Sequence, residues 1–469
     1  MFIKQLYTGC LSEAAYYIES EGEAAIIDPL RDIDVYLQLA NERKTRIVYI
    51  FETHFHADFV SGHLDLSKAT GAPIVYGPGT ETKFPVHVAK DGESFRVGKL
   101  ILEVLHTPGH TLESSSYLLK DEEGKDHCVF TGDTLFVGDV GRPDLAQKGS
   151  EITMNDLAGM MYESIHSKLF PLADDVLVYP AHGPGSACGK NLGPNTFSTI
   201  GEEKSSNYAL KAGTKEEFIR EVTQGIGAPP PYFPINALIN KEGYESLDAV
   251  LEQGMKALTV EKFKKLAKDD VIILDTRNAS TFTQGFIPGS ISIGLEGRFA
   301  EWAGSLLPFH APLVLVAETG KEKESLIRLA RVGFDKMQGF LEGGFEAWKN
   351  AGEEVDLIIN VEPDELMMDM PHDPNLLVVD VRRETEFADG HLKNALNLPL
   401  HEMTDPATIA NFEDTQNLYV HCAGGYRSVI AASLMKRQGI HNLRNVEGGW
   451  GAIRKLSNVE IEKVNSVLN

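Results

Sequence analysis

A run of matched residues at one fixed spacing constrains this chain more than any other feature. Residues 273–293 read ILDTRNASTFTQGFIPGSISI and residues 378–398 read VVDVRRETEFADGHLKNALNL. Asp380, Arg382, Phe387 and Gly390 each stand 105 positions after Asp275, Arg277, Phe282 and Gly285, and Gly448 and Gly449 stand 105 after Gly343 and Gly344. Six matches without an insertion mean two copies of one domain. Each copy runs apolar strand, Asp-x-Arg, amphipathic helix, short strand, loop, apolar strand, helix and Gly-Gly turn. Strands alternating with helices predict a parallel sheet covered on both faces. Ligands of such sheets bind beyond the carboxyl ends of the strands.

Only the second copy carries a nucleophile at that place. LYVHCAGGYRS (418–428) is an apolar strand running into Cys422, and VIAASLMKRQG continues as a helix. Gly424 and Gly425 let successive backbone N–H groups point inward along the loop through Tyr426 to Ser428, and the helix N-terminus adds positive potential. Such surroundings lower a thiol pKa and hold an anion, and Arg427 closes the ring. The plainer alternative is a buried structural thiol. The Arg falls five positions after the Cys, whereas cysteine phosphatases use a similar cradle one residue longer. The shorter loop, with DVRRETEFADGHLKNALNLP and VEGGW, resembles the rhodanese family over roughly residues 360–460. That resemblance implies that Cys422 carries a sulfane sulfur as a persulfide. The same register puts Ala317 at the Cys422 position, Glu322 at Arg427 and Lys323 at Ser428. Residues 256–356 are therefore expected to be a rhodanese-like domain without the catalytic Cys, serving for spacing, docking or cover. Residues 360–469 are expected to be the active copy.

Residues 1 to about 245 hold most of the histidines, on short strands that end in Gly, Pro or polar clusters: AAIIDP (24–29), RIVYIF (46–51), APIVYG (72–77), LILEVLHTPGH (100–110), HCVFTGDTLF (127–136) and DVLVYPAHG (175–183). A strand fixes the backbone and the loop after it aims a side chain at a shared cleft. ETHFHADFVSGH supplies His54, His56 and Asp58, HTPGH supplies His110, FTGDTLF supplies Asp133 and YPAHGPG supplies His182. The ordered set resembles the metallo-β-lactamase superfamily, which implies an αββα sandwich ahead of the two α/β rhodanese-like domains with their parallel sheets. The superfamily pattern is His-x-His-x-Asp-His, but Phe59 follows Asp58 here. Phenylalanine cannot ligate the second metal of a dinuclear site. One metal on His54, His110 and Asp133 is what remains, two imidazoles and a carboxylate with open positions, as in non-haem Fe(II) oxygenases. His56, Asp58 and His182 then orient ligands or hold metal-bound water; whether His56 itself coordinates stays open.

LFVGDVGRPDLA (135–146) resembles the loop after the metal Asp in persulfide dioxygenases of that superfamily. Those enzymes use one Fe(II) and O2 to oxidise the terminal sulfur of a small thiol persulfide to sulfite. Arg142 is the candidate to hold an anionic end of the substrate, or else pairs with Asp139 or Asp144. Cys188, in the Gly-rich loop GPGSACGKNLG (183–193), is expected to be an accessible thiol that binds or relays sulfur, or else a small side chain filling a tight turn. Cys10 and Cys128 sit in strand-like context and are expected in the core. The whole chain resembles the bacterial fusions of sulfide detoxification, in which sulfite accepts sulfur from the Cys persulfide to give thiosulfate.

Composition excludes several other classes. The 469 residues suggest about three domains. With 44 Lys and Arg against 68 Asp and Glu, the net charge of −24 argues against nucleic acid as a partner. Four cysteines do not make a disulfide scaffold and fit a reducing compartment. The first residues show no basic start followed by an apolar core, and no apolar run approaches the ~20 residues of a membrane helix. A cytoplasmic protein without membrane contact is expected, and whether copies associate stays open. GAPPPYFP (227–234) reads as a stiff linker or a surface cover. Two further readings compete with the iron dioxygenase: a zinc thioester hydrolase of the glyoxalase II type, which needs two metals to activate water, and a non-catalytic sulfur carrier or sensor.

Overall fold

The structure is a computed structural model that describes residues 1–145, 152–268, 270–413, 415–457 and 459–464. Ala146, the last residue of the 135–146 segment, lies outside the described residues. The chain divides into two compact units, Met1–Leu247 with Ala330–Gly333 and Asp248–Leu329 with Phe334–Asn469.

The first unit is built on two six-stranded sheets. One contains β1 (Phe2–Thr8), β2 (Glu13–Ser20), β3 (Glu23–Ile27), β4 (Arg46–Phe51), β5 (Ile74–Tyr76) and β6 (His87–Val88), in that spatial order. The other contains β7 (Ser94–Val97), β8 (Leu100–His106), β9 (Ser115–Lys120), β10 (Asp126–Gly132), β11 (Leu177–Pro180) and β12 (Ser198–Thr199), also laid side by side in sequence. Period-2 alternation decides which residues meet between the sheets. Tyr16, Ile18, Ala25, Ile27, Phe51 and Val75 face Leu100, Leu102, Val104, Tyr117, Leu119 and Phe130 in one buried cluster. The opposite faces are buried too. Ala15, Tyr17, Ala24 and Ile26 pack against Tyr36, Leu39 and Leu66 of two helices. Leu118, Val129 and Val178 pack against Ala158, Met161 and Phe218. The result is the four-layer αββα sandwich.

Double-sided burial explains why β2 and β3 read as almost unbroken apolar runs, as strands covered on both faces do. The strands RIVYIF and LILEVLH stand where the sequence places them. The proline run leads directly into a helix, Phe233–Glu242, with Pro234 in its first turn, where a missing N–H costs nothing. Cys128 is fully buried, as expected, while Cys10 is only partly so.

The second unit holds two five-stranded sheets whose pairings are all parallel. One is β13 (Ala257–Leu258), β14 (Ile272–Asp275), β15 (Ile291–Ser292), β16 (Leu313–Val316) and β17 (Met337–Leu341) in the order β13-β17-β16-β14-β15. The other uses β18 (Ile359–Val361), β19 (Leu376–Asp380), β21 (Leu396–Asn397), β22 (Asn417–His421) and β23 (Leu443–Val446) in the order β18-β23-β22-β19-β21. A small ribbon of β20 (His391–Leu392) and β24 (Ile461–Glu462) stands apart. The matched Asp-x-Arg pairs do the same thing twice. Arg277 and Arg382 each clamp their own Asp275 or Asp380 at 2.6 Å and donate to the carbonyl of Gly285 or Gly390.

The Gly-Gly turns have a steric cause. Gly449 has φ +52°, and a Cβ there would lie 2.3 Å from the Cys422 carbonyl oxygen. Only glycine lets the turn back onto the Cys loop, where Trp450 N–H donates to that carbonyl at 2.6 Å. Gly449→Ala should lower stability by about 2–3 kcal/mol. Denaturant unfolding of the full chain checks this, and an unmoved midpoint would contradict it. Among the described residues, no helix is long and apolar enough to cross a membrane.

Candidate functional site

Four strand ends of the first unit deliver the histidines and carboxylates to one place. The loop after β4 carries His54, His56 and Asp58, the loop after β8 carries His110, Asp133 directly follows β10, and His182 follows β11. His54, His110 and Asp133 each put one ligand atom within 4.8 Å of the others, and all three are buried. Nε2 of His110 is 3.4 Å and Nε2 of His54 is 3.8 Å from Asp133 Oδ2.

The hydrogen bonds behind the rings fix which nitrogen faces inward. His110 Nδ1 donates to the Arg142 carbonyl at 2.9 Å. Thr53 Oγ1 spends its proton on Asp28 at 2.8 Å and therefore accepts from His54 Nδ1 at 2.9 Å. Both Nε2 lone pairs are left pointing at Asp133. Those two nitrogens and both Asp133 oxygens have no hydrogen-bond partner. Buried polar atoms without partners are costly, and four of them converging on one point fit a metal with N and O ligands. Burial, then the neighbouring rings of His56, His110 and His182, pushes the His54 pKa well down, so its ring is neutral and able to ligate. Gly141 permits the closeness, because a Cβ there would lie 2.0 Å from the Asp133 carbonyl oxygen.

A second group, His56, Asp58 and His182, also brings ligand atoms within 4.8 Å. His182 Nε2 is 3.5 Å from both Asp58 and Asp133, with Nδ1 turned to the Ser12 carbonyl at 3.2 Å. His56 also borders two further carboxylates. Its Nε2 lies 3.0 Å from Asp28 and 3.6 Å from Glu52. Burial alone would lower its pKa, but Asp28, with Glu52 and Asp58, raises it to about 10. Phe59 is fully buried, with its ring 4.4 Å from that of His56. The supporting carboxylates Asp28 and Glu52 escape the sequence reading, although each directly follows the apolar core of a strand, in AAIIDP and IVYIFETH.

Two of the expected residues take one of the alternatives open to them: Arg142 pairs with Asp144, and Cys188 is buried. Arg142 is not turned to an anion site. Its guanidinium grips Asp144 through Nε at 2.7 Å and Nη2 at 2.8 Å, and donates further to the carbonyls of Ala187 and Gly227. What it presents to the metal group is its own carbonyl. Cys188 does reach that group, with Asp133 and His182, but is buried rather than accessible. Its loop folds inward, held by Arg142 N–H on the Cys188 carbonyl at 2.9 Å. Burial, then Asp58 and Asp133, pushes the thiol pKa well up, so it is protonated here.

In the second unit, Cys422 stands at the turn between β22 and the helix Tyr426–Arg437. Its Sγ accepts from Gly425 N–H at 3.1 Å, and Gly425 takes φ +107° to point that N–H inward. Gly424 and Gly425 have open space where a Cβ would stand. The side chains of the remaining cradle residues have partners of their own. Ser428 Oγ donates to Asn445 at 2.6 Å, the Tyr426 phenol donates to the Gly294 carbonyl at 2.8 Å, and Arg427 holds Glu386 with two contacts of 2.6 and 2.8 Å. At the matched place of the first copy, Ala317 is buried and carries no thiol.

Comparison with known proteins finds two kinds of domain along the chain. Residues 8–184 match the metallo-beta-lactamase superfamily, and residues 259–351 and 362–456 each match the rhodanese-like domain. The human mitochondrial persulfide dioxygenase ETHE1 is 33% identical over 211 residues, which is 45% of this chain and 74% of that protein. The hydroxyacylglutathione hydrolase GloC of Haemophilus influenzae is 28% identical over 216 residues, covering 41% of this chain and 90% of its own length. A crystal structure described as a metallo-beta-lactamase from Staphylococcus aureus superposes with a TM-score of 0.64 at 32% identity. It covers 73% of this chain and 98% of the other.

Proposed function

Since the chain belongs to the metallo-β-lactamase superfamily in its first part, with kinship to the persulfide dioxygenases, and carries two rhodanese-like domains after it, we propose that it is an Fe(II) persulfide dioxygenase joined to a sulfurtransferase. One observation carries the reading. The trio His54, His110 and Asp133 offers unpartnered ligand atoms to one point, while Phe59 stands where the superfamily pattern has a further His, beside the second group of His56, Asp58 and His182. The trio is the donor set of a mononuclear iron with open positions. An iron bound there supplies O2 activation and a place for the persulfide sulfur.

The overall change is RSSH + O2 + H2O → RSH + SO3²⁻ + 2H⁺. The chain's own part is to orient and to exclude water. The Arg142 carbonyl and Thr53 hydroxyl hold the two imidazoles in the ligating tautomer. His56, charged through Asp28 and Glu52, contributes positive charge beside the centre, which suits an anionic persulfide. Cys188 is buried beside Asp133 and His182; a sulfur-relay role there requires its raised thiol pKa to be overcome. At the second site, the Cys422 persulfide gives its outer sulfur to sulfite: Cys–S–S⁻ + SO3²⁻ → Cys–S⁻ + S2O3²⁻. Linking the two activities in one chain raises the effective concentration of one product at the other site.

Thioester hydrolysis with two zinc ions is the second reading, favoured by the likeness to the hydroxyacylglutathione hydrolase and by the second group of His56, Asp58 and His182. The ring of Phe59, where the superfamily pattern has a ligating His, argues against it. The deciding experiment is O2 uptake by the full chain with several small thiol persulfides, with sulfite and thiosulfate quantified. Uptake near one O2 per persulfide supports the dioxygenase. Thioester cleavage without O2 uptake would support the hydrolase. Cys188→Ser should retain the metal yet lose a substantial part of the conversion of persulfide to thiosulfate. Wild-type product ratios in that variant, at full metal occupancy, would make Cys188 a packing residue.

A further inference from the structure

The copy without a nucleophile is in direct contact with the Cys422 loop of its neighbour. Besides accepting from Tyr426, its Gly294 lies so near that a Cβ there would stand 3.6 Å from the Tyr426 ring, and one on Gly297 would stand 3.7 Å away. Next to this contact is a chain of charges drawn from both copies. Glu301 of the first copy pairs with Arg298 and, at 3.4 Å, with Arg383 of the second. The backbone N–H of Arg383 donates to Glu386 at 3.1 Å, capping the helix that begins there, and Glu386 holds Arg427. Arg427 also acts on Glu301: burial pushes that carboxyl up, and Arg298, Arg383 and Arg427 pull it back.

The guanidinium groups of Arg298 and Arg383 share Glu301 while Arg427 holds Glu386, so three cations face two carboxylates in this group; Arg328 and Glu296, of opposite sign, also act on Tyr426. The side chains of Arg298 and Arg383 are 39% and 51% exposed, so the excess charge meets solvent, while Glu301 is 9% exposed beneath them. The repeat shows that this is no general property of the fold. One period away, Met403 and Pro406 replace Arg298 and Glu301, and Asn278, Thr281 and Glu322 replace Arg383, Glu386 and Arg427. The charges are gathered on the side of the dyad that has the Cys and missing from the side that has Ala317.

We propose that Arg298 and Glu301 of the nucleophile-free copy are part of the Cys422 site, forming with Arg383, Glu386 and Arg427 a collar that receives the anionic oxygens of the sulfur donor or acceptor, of the sulfonate type found in thiosulfate. The proposal rests on the reading of Cys422 as the sulfur-transfer thiol. Arg298 and Arg383 are docking cations, which act on encounter with a charged ligand. Glu301 is a positioning residue that holds the two together and moderates their charge. The first copy is then half of the active site rather than a spacer.

The test compares alkylation of Cys422 in the full chain by iodoacetate, an anion, and by iodoacetamide, its neutral analogue, at low salt. Mass spectrometry of the Cys422 peptide gives both rates. Arg298→Met and Arg383→Asn install the residues found one period away, and each should lower the iodoacetate-to-iodoacetamide ratio about threefold or more. Glu301→Gln should raise it. Iodoacetamide rates should stay within about twofold, because the cradle itself is untouched. In the same variants, sulfur transfer from thiosulfate should show KM rising in the two Arg variants by more than kcat falls. Unchanged ratios in all three variants would overturn the collar. A parallel fall of both rates would overturn it too, since that marks a disturbed loop rather than a lost charge. If the ratios shift as expected but wild-type protein transfers no sulfur from thiosulfate, the collar stands and the sulfurtransferase reading fails.

Discussion

Asp133→Ala is expected to empty the metal centre and abolish O2 uptake while sulfur transfer at Cys422 continues. Asp133 is the only carboxylate of the His54–His110–Asp133 trio, and both its oxygens are buried without partners. Alanine leaves two imidazoles, with no carboxylate to balance a divalent ion. Loss of an outer partner of a ligand costs about 10–100-fold in metal affinity, so loss of the ligand itself should exceed about 100-fold. The second unit has its own sheets and its own cores, so Cys422 should keep its activity. Metal content, O2 consumption and thiosulfate-linked transfer, measured on one preparation, check all three parts. Iron retained at wild-type occupancy would contradict the assignment.

Cys422→Ser should have the opposite profile. A serine hydroxyl is not ionised near neutral pH and does not form a persulfide. Sulfur transfer should fall by on the order of 10⁴-fold, the scale expected when a nucleophile is removed. O2-dependent persulfide oxidation should be spared, and sulfite should accumulate where thiosulfate formed before. Ala317 gives the first copy no means of substitution. Transfer that survives in the variant would require a carrier among Cys10, Cys128 and Cys188.

The sequence makes the sandwich and the doubled parallel sheet legible for a physical reason: both leave periodic marks. Strand alternation and the spacing of 105 residues are one-dimensional signals of which faces are buried and which turns recur. The candidate metal residues are legible because each follows a strand whose direction is already set. Side-chain pairing is not written in that way. Arg142 lies two residues from Asp144, but only the folded loop shows Asp144 and two carbonyls occupying its guanidinium. A Gly-rich stretch around Cys188 suggests an open loop. Instead it folds inward, and the thiol is buried beside Asp133. Asp28 and Glu52 go unseen because their partner, His56, lies on a loop whose path no local pattern predicts. The collar of Arg298 and Glu301 is a meeting of two copies, visible only once both are folded.

Metal analysis of anaerobically purified full-length protein tests the central claim most directly. The trio of His54, His110 and Asp133, with Phe59 packed on His56, predicts close to one iron per chain, bound in parallel with the capacity to consume O2 in the presence of a thiol persulfide. Two zinc ions per chain, with no O2 consumption on adding iron, would contradict it.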